Sequence, residues 1–180
     1  MATPPVFSSG AVLTAAQMNN VGMWLISKTT IGSAVATVTT GTVFSSDFDN
    51  YRVIIRGVKT SAVNANLLLN FGATTTAYYG SSYYDAYTGA TTGTNRRNNG
   101  ANLYIGAAEN TLGEDVHSFD IANPFLSSST TISGTYYGAT YSGWFGGTQA
   151  STTSFTTLTI RPDAGTITGG TITVYGYRSS

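Results

Sequence analysis

From Ser33 onward the chain is written in short runs of Thr, Val, Ile, Tyr and Phe, cut at close intervals by Gly, Asn, Ser and Asp. β-branched and aromatic residues suit a pleated, half-buried surface, and the interrupting residues are turn formers, so the pattern predicts many short strands. Candidate strands are Val35–Thr40, Tyr51–Lys59, Leu67–Phe71, Leu103–Gly106, Val116–Ala122, Thr130–Ala139, Phe155–Arg161 and Thr171–Arg178. Two show the period-2 alternation of a sheet with one wet face. Tyr51, Val53 and Ile55 alternate with Arg52 and Arg56, and Leu158 and Ile160 alternate with Thr157 and Thr159. About eight such strands in one domain predict an all-β fold, an antiparallel two-sheet sandwich of jelly-roll type.

Turn chemistry agrees. Asp47-Phe48-Asp49-Asn50 precedes the strongest strand, and Pro162-Asp163-Ala164-Gly165 with Gly169-Gly170 separates the last two. Gly146-Gly147 reads as another hairpin turn. Residues 73–102 are polar, aromatic and glycine-rich with little periodicity, which predicts a long excursion from the sandwich, with at most a short irregular strand.

The first thirty residues differ. Pro4 and Pro5 impose an extended start. Thr14 is placed to cap a short helix through Ala15, Ala16, Gln17 and Met18. Leu13, Gln17, Val21, Trp24 and Leu25 recur at helical spacing as an apolar stripe suited to docking. The expected organisation is therefore a short extended and helical arm over 1–32, for attachment or oligomerisation, followed by a β-sandwich over 33–180.

Charged residues make up 9% of the chain, against about 25% in ordinary soluble proteins. Thr, Ser, Asn, Gly and Tyr must then cover the surface, as suits modules mounted on a particle or meeting neighbouring subunits. Eight basic and eight acidic residues cancel, which gives no electrostatic footprint for nucleic acid and little attraction to an anionic membrane. The chain has no cysteine, so it has neither disulfides nor thiolate chemistry. No basic n-region precedes Lys28, and polar residues interrupt the apolar stretch, so neither a signal peptide nor a membrane span is expected.

Chemistry-bearing constellations are sparse. The single histidine, His117, sits beside Ser118, which a strand would point to the opposite face; it is expected at a surface or a subunit interface. Asp115 would share the His117 face. The acidic residues fall mostly in turns, Asp47 and Asp49 included, where Asp bonds its own backbone, so neither a glycosidase pair nor a calcium loop is expected. No metal, cofactor or catalytic residue is assigned. The aromatic clusters carry more. Tyr78, Tyr79, Tyr83, Tyr84 and Tyr87 crowd one segment ahead of Arg96 and Arg97, and Tyr136, Tyr137, Tyr141, Trp144 and Phe145 form a second group. Tyr and Trp supply rigid contact area with a polar handle. Three uses fit: core and loop packing, self-association or docking on a neighbour, and capture of a host glycan or other receptor by Tyr79, Tyr83, Tyr84, Tyr87, Arg96, Arg97 and Trp144.

Phe7-Ser8-Ser9-Gly10-Ala11-Val12-Leu13-Thr14-Ala15-Ala16-Gln17-Met18-Asn19 resembles the opening segment of tail-fibre and other virion structural proteins of tailed phages. Phe44–Val53 and Gly170–Arg178 resemble segments of the β-sandwich domains of the same proteins. Together these cover about a quarter of the chain. The resemblance implies a non-enzymatic capsid decoration or tail-associated fibre, commonly trimeric, anchored by its N-terminal segment and exposing a β module. Particle contacts would then fall to Phe7, Leu13, Gln17, Val21, Trp24 and Leu25. The expected partners are further copies of itself, other virion proteins and a host surface glycan. The expected location is the virion, assembled in the bacterial cytoplasm.

Overall fold

The computed structural model describes residues 10, 12, 22–110 and 115–177. All regular structure among them is β, in antiparallel sheets. The chain runs through β1 (Trp24–Thr30), β2 (Val38–Thr39), β3 (Asn50–Arg56), β4 (Lys59–Thr60), β5 (Ala65–Phe71), β6 (Tyr78–Ala86) and β7 (Thr92–Gly100). It continues through β8 (Leu103–Ala108), β9 (Val116–Ala122), β10 (Thr130–Tyr137), β11 (Tyr141–Gln149), β12 (Leu158–Pro162), β13 (Ile167–Thr168) and β14 (Thr171–Tyr177). An eight-stranded sheet has the order β1-β14-β3-β9-β10-β11-β6-β7, a four-stranded sheet the order β2-β12-β5-β8, and β4 pairs with β13 in a small ribbon.

The order resolves into a jelly roll with two additions. Without the hairpins β6–β7 and β10–β11, two four-stranded sheets remain, β1-β14-β3-β9 and β2-β12-β5-β8. The chain changes sheet at every step from β1 through β2, β3 and β5, stays in one sheet from β5 to β8, then alternates again through β9, β12 and β14. That wrapping is the double Greek key of a jelly roll. Both added hairpins attach on the β9 side, β10–β11 first and β6–β7 beyond it, which doubles the width of one sheet.

Alternation builds the core. Tyr51, Val53 and Ile55 of β3, Phe119 and Ile121 of β9, and Ile172 and Val174 of β14 point inward and are buried. They meet Leu67, Leu69 and Phe71 of β5 with Leu158 and Ile160 of β12 in one cluster. Each such side chain contributes about 1.5–3 kcal/mol by leaving water. Phe44 meets Tyr51 edge-on at 4.8 Å and Phe155 stacks on Phe71 at 5.2 Å, which closes one end. The Tyr51 hydroxyl is bonded to both the Ser45 N–H and the Ser45 carbonyl, at 2.8 and 3.0 Å.

Several expectations are corrected. Residues 73–102 are not a loose excursion: they hold the β6–β7 hairpin, with nine residues in each strand. Gly146 and Gly147 lie inside β11, not in a turn. Gly147 sits opposite Gly80 of β6, where a Cβ on either would press to within 3 Å of the Leu103 methyl, so the close approach of β8 demands glycine on both strands. Gly169 and Gly170 do form the turn between β13 and β14, both at positive φ. The candidate strand Val35–Thr40 shortens to Val38–Thr39, and Tyr51–Lys59 breaks at Gly57. Thr14, the helix expected over Ala15–Met18 and most of its stripe lie outside the described residues. Trp24 and Leu25, the end of that stripe, belong to β1, which pairs with β14 along the rim of the large sheet.

His117 is also corrected. It is fully buried on the inner face of β9, its imidazole stacked on Tyr136 at 5.7 Å and its Nδ1–H donating to the Ile105 carbonyl at 2.8 Å. Asp115 shares that inner face and is equally buried, while Ser118 points the other way.

Candidate binding face

The added hairpins turn the outer face of the large sheet into a broad surface whose composition follows from the register. One cross-strand row reads Arg52, Asp120, Ser133, Gly146, Ser81 and Arg96 from β3 to β7. The next reads Ile54, Ser118, Thr135, Trp144, Tyr83 and Thr94. Cross-strand neighbours on one face stand close enough to interact directly. Where the two rows pass over β9 and β10 the side chains are small, and the surface sinks between larger groups on either side. The result is an open trough of about 490 Å³ lined by Arg52, Ser118, Asp120, Ser133, Thr135 and Trp144.

One wall is polar. The Arg52 guanidinium meets the Asp120 carboxylate in a forked ion pair, Nε to Oδ1 at 2.9 Å and Nη2 to Oδ2, and the Tyr177 hydroxyl donates to Asp120 Oδ1 at 3.3 Å. The hydrogen bond to Asp120 holds the Arg52 pKa above its ordinary value, against partial burial. Burial, and then the Asp120 charge, push the Tyr177 phenol up. The pair is more than a third exposed, so solvent limits its contribution to stability to about 1 kcal/mol or less. The forked geometry fixes the directions of two planar polar groups, and that is its stronger consequence.

The other wall is aromatic. Trp144 is 53% exposed although it lies in the middle of a strand. Tyr83 stacks against it at 6.3 Å with 21° between the planes, which fixes the orientation of the indole. The lining carries one cation and one anion in direct contact, so the trough as a whole is neutral.

The structure divides the residues singled out for glycan contact between two faces. Trp144, Tyr79, Tyr83 and Arg96 share the outer face, and Tyr87 is exposed just beyond β6. Tyr84 lies on the inner side, edge-on to Tyr141 at 5.6 Å. Arg97 is tied into the fold: it lies over the Tyr104 ring at 3.9 Å and donates to Asn102. Of the residues singled out for particle contact, Trp24 and Leu25 are exposed on β1, whereas Phe7, Leu13, Gln17 and Val21 lie outside the described residues. Arg52, Asp120 and the small hydroxyl residues of the trough carried no sequence signal as a site. The alternation of β3 already placed Arg52 on a wet face, but only the β3–β9 register brings it to Asp120.

No family model matches the chain, and neither a curated protein nor a solved structure matches it.

Proposed function

We propose that the chain is a non-enzymatic structural component of a phage particle, a capsid decoration or tail-associated fibre that is anchored by its leading segment and presents its jelly roll outward. The observation that carries this reading is the apolar edge of the large sheet at the start of β1. Among the described residues, β1 forms one edge of the large sheet and turns Ile26 toward the core. There Met23, Trp24 and Leu25 are exposed at the rim, Leu25 to 61%. Exposed apolar residues along a sheet edge are suited to docking on another chain. The resemblance of residues 7–19 to virion proteins and the charge-poor surface support the same reading.

The expected result is that a variant lacking residues 2–21, with β1 kept, melts as a folded sandwich but no longer co-sediments with particles assembled without the protein. Undiminished co-sedimentation would count against anchoring by this segment. Homotrimer formation, which the same reading favours, is checked by sedimentation velocity on the full chain.

A further inference from the structure

We propose that the trough between Trp144 and the Arg52–Asp120 pair binds a neutral carbohydrate, with one sugar ring laid on the indole and its adjacent hydroxyls bonded to the guanidinium and carboxylate. This goes beyond a structural role and holds whether or not the chain is mounted on a particle.

Each element of the trough fits that ligand better than the alternatives. A sugar ring has an apolar face of C–H groups and a rim of hydroxyls, so it needs a flat apolar wall and donors and acceptors in fixed directions. Trp144 is that wall, half exposed and braced by Tyr83. Asp120 and Arg52 stand across the trough from it with their planes locked together. The carboxylate has accepting capacity left beyond its three donors, and Arg52 Nη1 enters none of the bonds that hold the pair. The floor, Ser118, Ser133 and Thr135, is small and hydroxyl-bearing, which admits a ring and offers it further hydrogen bonds. The volume is in the range of small-ligand sites. Charge decides the class of sugar: with the lining neutral overall, a phosphate, sulfate or uronate meets the Asp120 carboxylate and an amino sugar meets the Arg52 cation, so a neutral hexose is preferred.

The test is a microarray of neutral and anionic bacterial-surface oligosaccharides probed with the full chain and with three variants whose folding is verified by thermal melting. Wild type is expected to bind neutral hexose-containing glycans. Trp144→Ala is expected to weaken that binding about thirty-fold, and Asp120→Asn about ten-fold. Thr131→Ala, on the same face but away from the trough, should leave it unchanged. Four results would overturn the proposal: no neutral glycan bound, binding that survives Trp144→Ala, binding confined to anionic glycans, or an oligomer that Trp144→Ala converts to monomer. The last would make the trough a contact between copies of the chain. Because the assay uses the protein free of particles, its outcome is separate from that of the leading-segment deletion.

Discussion

Gly106→Ala is expected to destabilise the fold by about 4 kcal/mol, measured by chemical denaturation at neutral pH. Gly106 has φ +113°, where an L side chain costs on the order of 1–3 kcal/mol. A Cβ there would also collide with the Tyr136 ring at Cγ and Cδ1, and forcing atoms into a filled core costs about 1–3 kcal/mol more. The ring has no room to retreat. On β11, a Cβ added at Gly143 would stand 2.7 Å from Tyr136 Cε1, and His117 stacks on the ring at 5.7 Å. Tyr136 therefore occupies a slot cut by two glycines, one on each sheet, and the slot ties the added hairpins to the jelly roll.

Two companion variants distinguish this slot from a general intolerance of change. Tyr136→Phe should cost less than about 1 kcal/mol, because the hydroxyl reaches the Tyr83 carbonyl only at 3.4 Å. Combining Gly106→Ala with Tyr136→Ala should cost less than the two single changes together by about 1–3 kcal/mol, since removing the ring removes the collision but not the backbone strain. Strict additivity would show that Gly106 and Tyr136 do not meet as described.

The same slot explains which parts of the fold were legible in the sequence. β3 and β12 read correctly because each buries one face and wets the other, so their inward Tyr51, Val53, Ile55, Leu158 and Ile160 stand at period 2. β6 and β11 carry Gly80, Ser82, Gly143 and Gly147 on their inner face, where β8 and the Tyr136 ring press too closely for larger side chains. Glycine and serine interrupt Tyr78, Tyr84 and Phe145 on the inner face while Tyr79, Tyr83 and Trp144 stand on the outer one, so neither strand shows an apolar period, and the β6–β7 hairpin reads as loop and Gly146-Gly147 as a turn. His117 was misplaced for a related reason: a polar residue within a strand is expected to face outward, and only tertiary structure supplies the Ile105 carbonyl that satisfies it inside. The binding face shows the same limit. Its aromatic half was visible as a Tyr and Trp cluster, but the polar half required knowing that β3 and β9 are neighbours.

Substitutions at Asp115 and His117 are expected to tilt the pH dependence of stability in opposite directions. Burial pushes the Asp115 carboxyl up to about 6, helped by the Glu109 charge and opposed by the Glu109 N–H, which donates to Oδ2 at 2.6 Å. Burial holds the His117 imidazole down at about 4, against its bond to the Ile105 carbonyl. Between pH 4 and 6.5 the unfolded chain protonates His117 and the folded chain does not, so this residue makes stability fall as pH falls. From pH 3.8 to 6 the folded chain keeps the Asp115 proton that the unfolded chain has lost, so this residue makes stability fall as pH rises. Each acts with a slope of up to about 1.4 kcal/mol per pH unit, and in wild type the two nearly cancel from pH 4 to 6. Asp115→Asn leaves His117 unopposed, so stability should gain on wild type as pH rises, by about 3 kcal/mol in all. His117→Gln leaves Asp115 unopposed and should lose on wild type over the same interval. Denaturation midpoints at half-unit steps from pH 4 to 7 would read both slopes, and referring each variant to wild type removes the carboxylates common to all three proteins. If the two slopes share a sign relative to wild type, one of these groups is not buried in the state described.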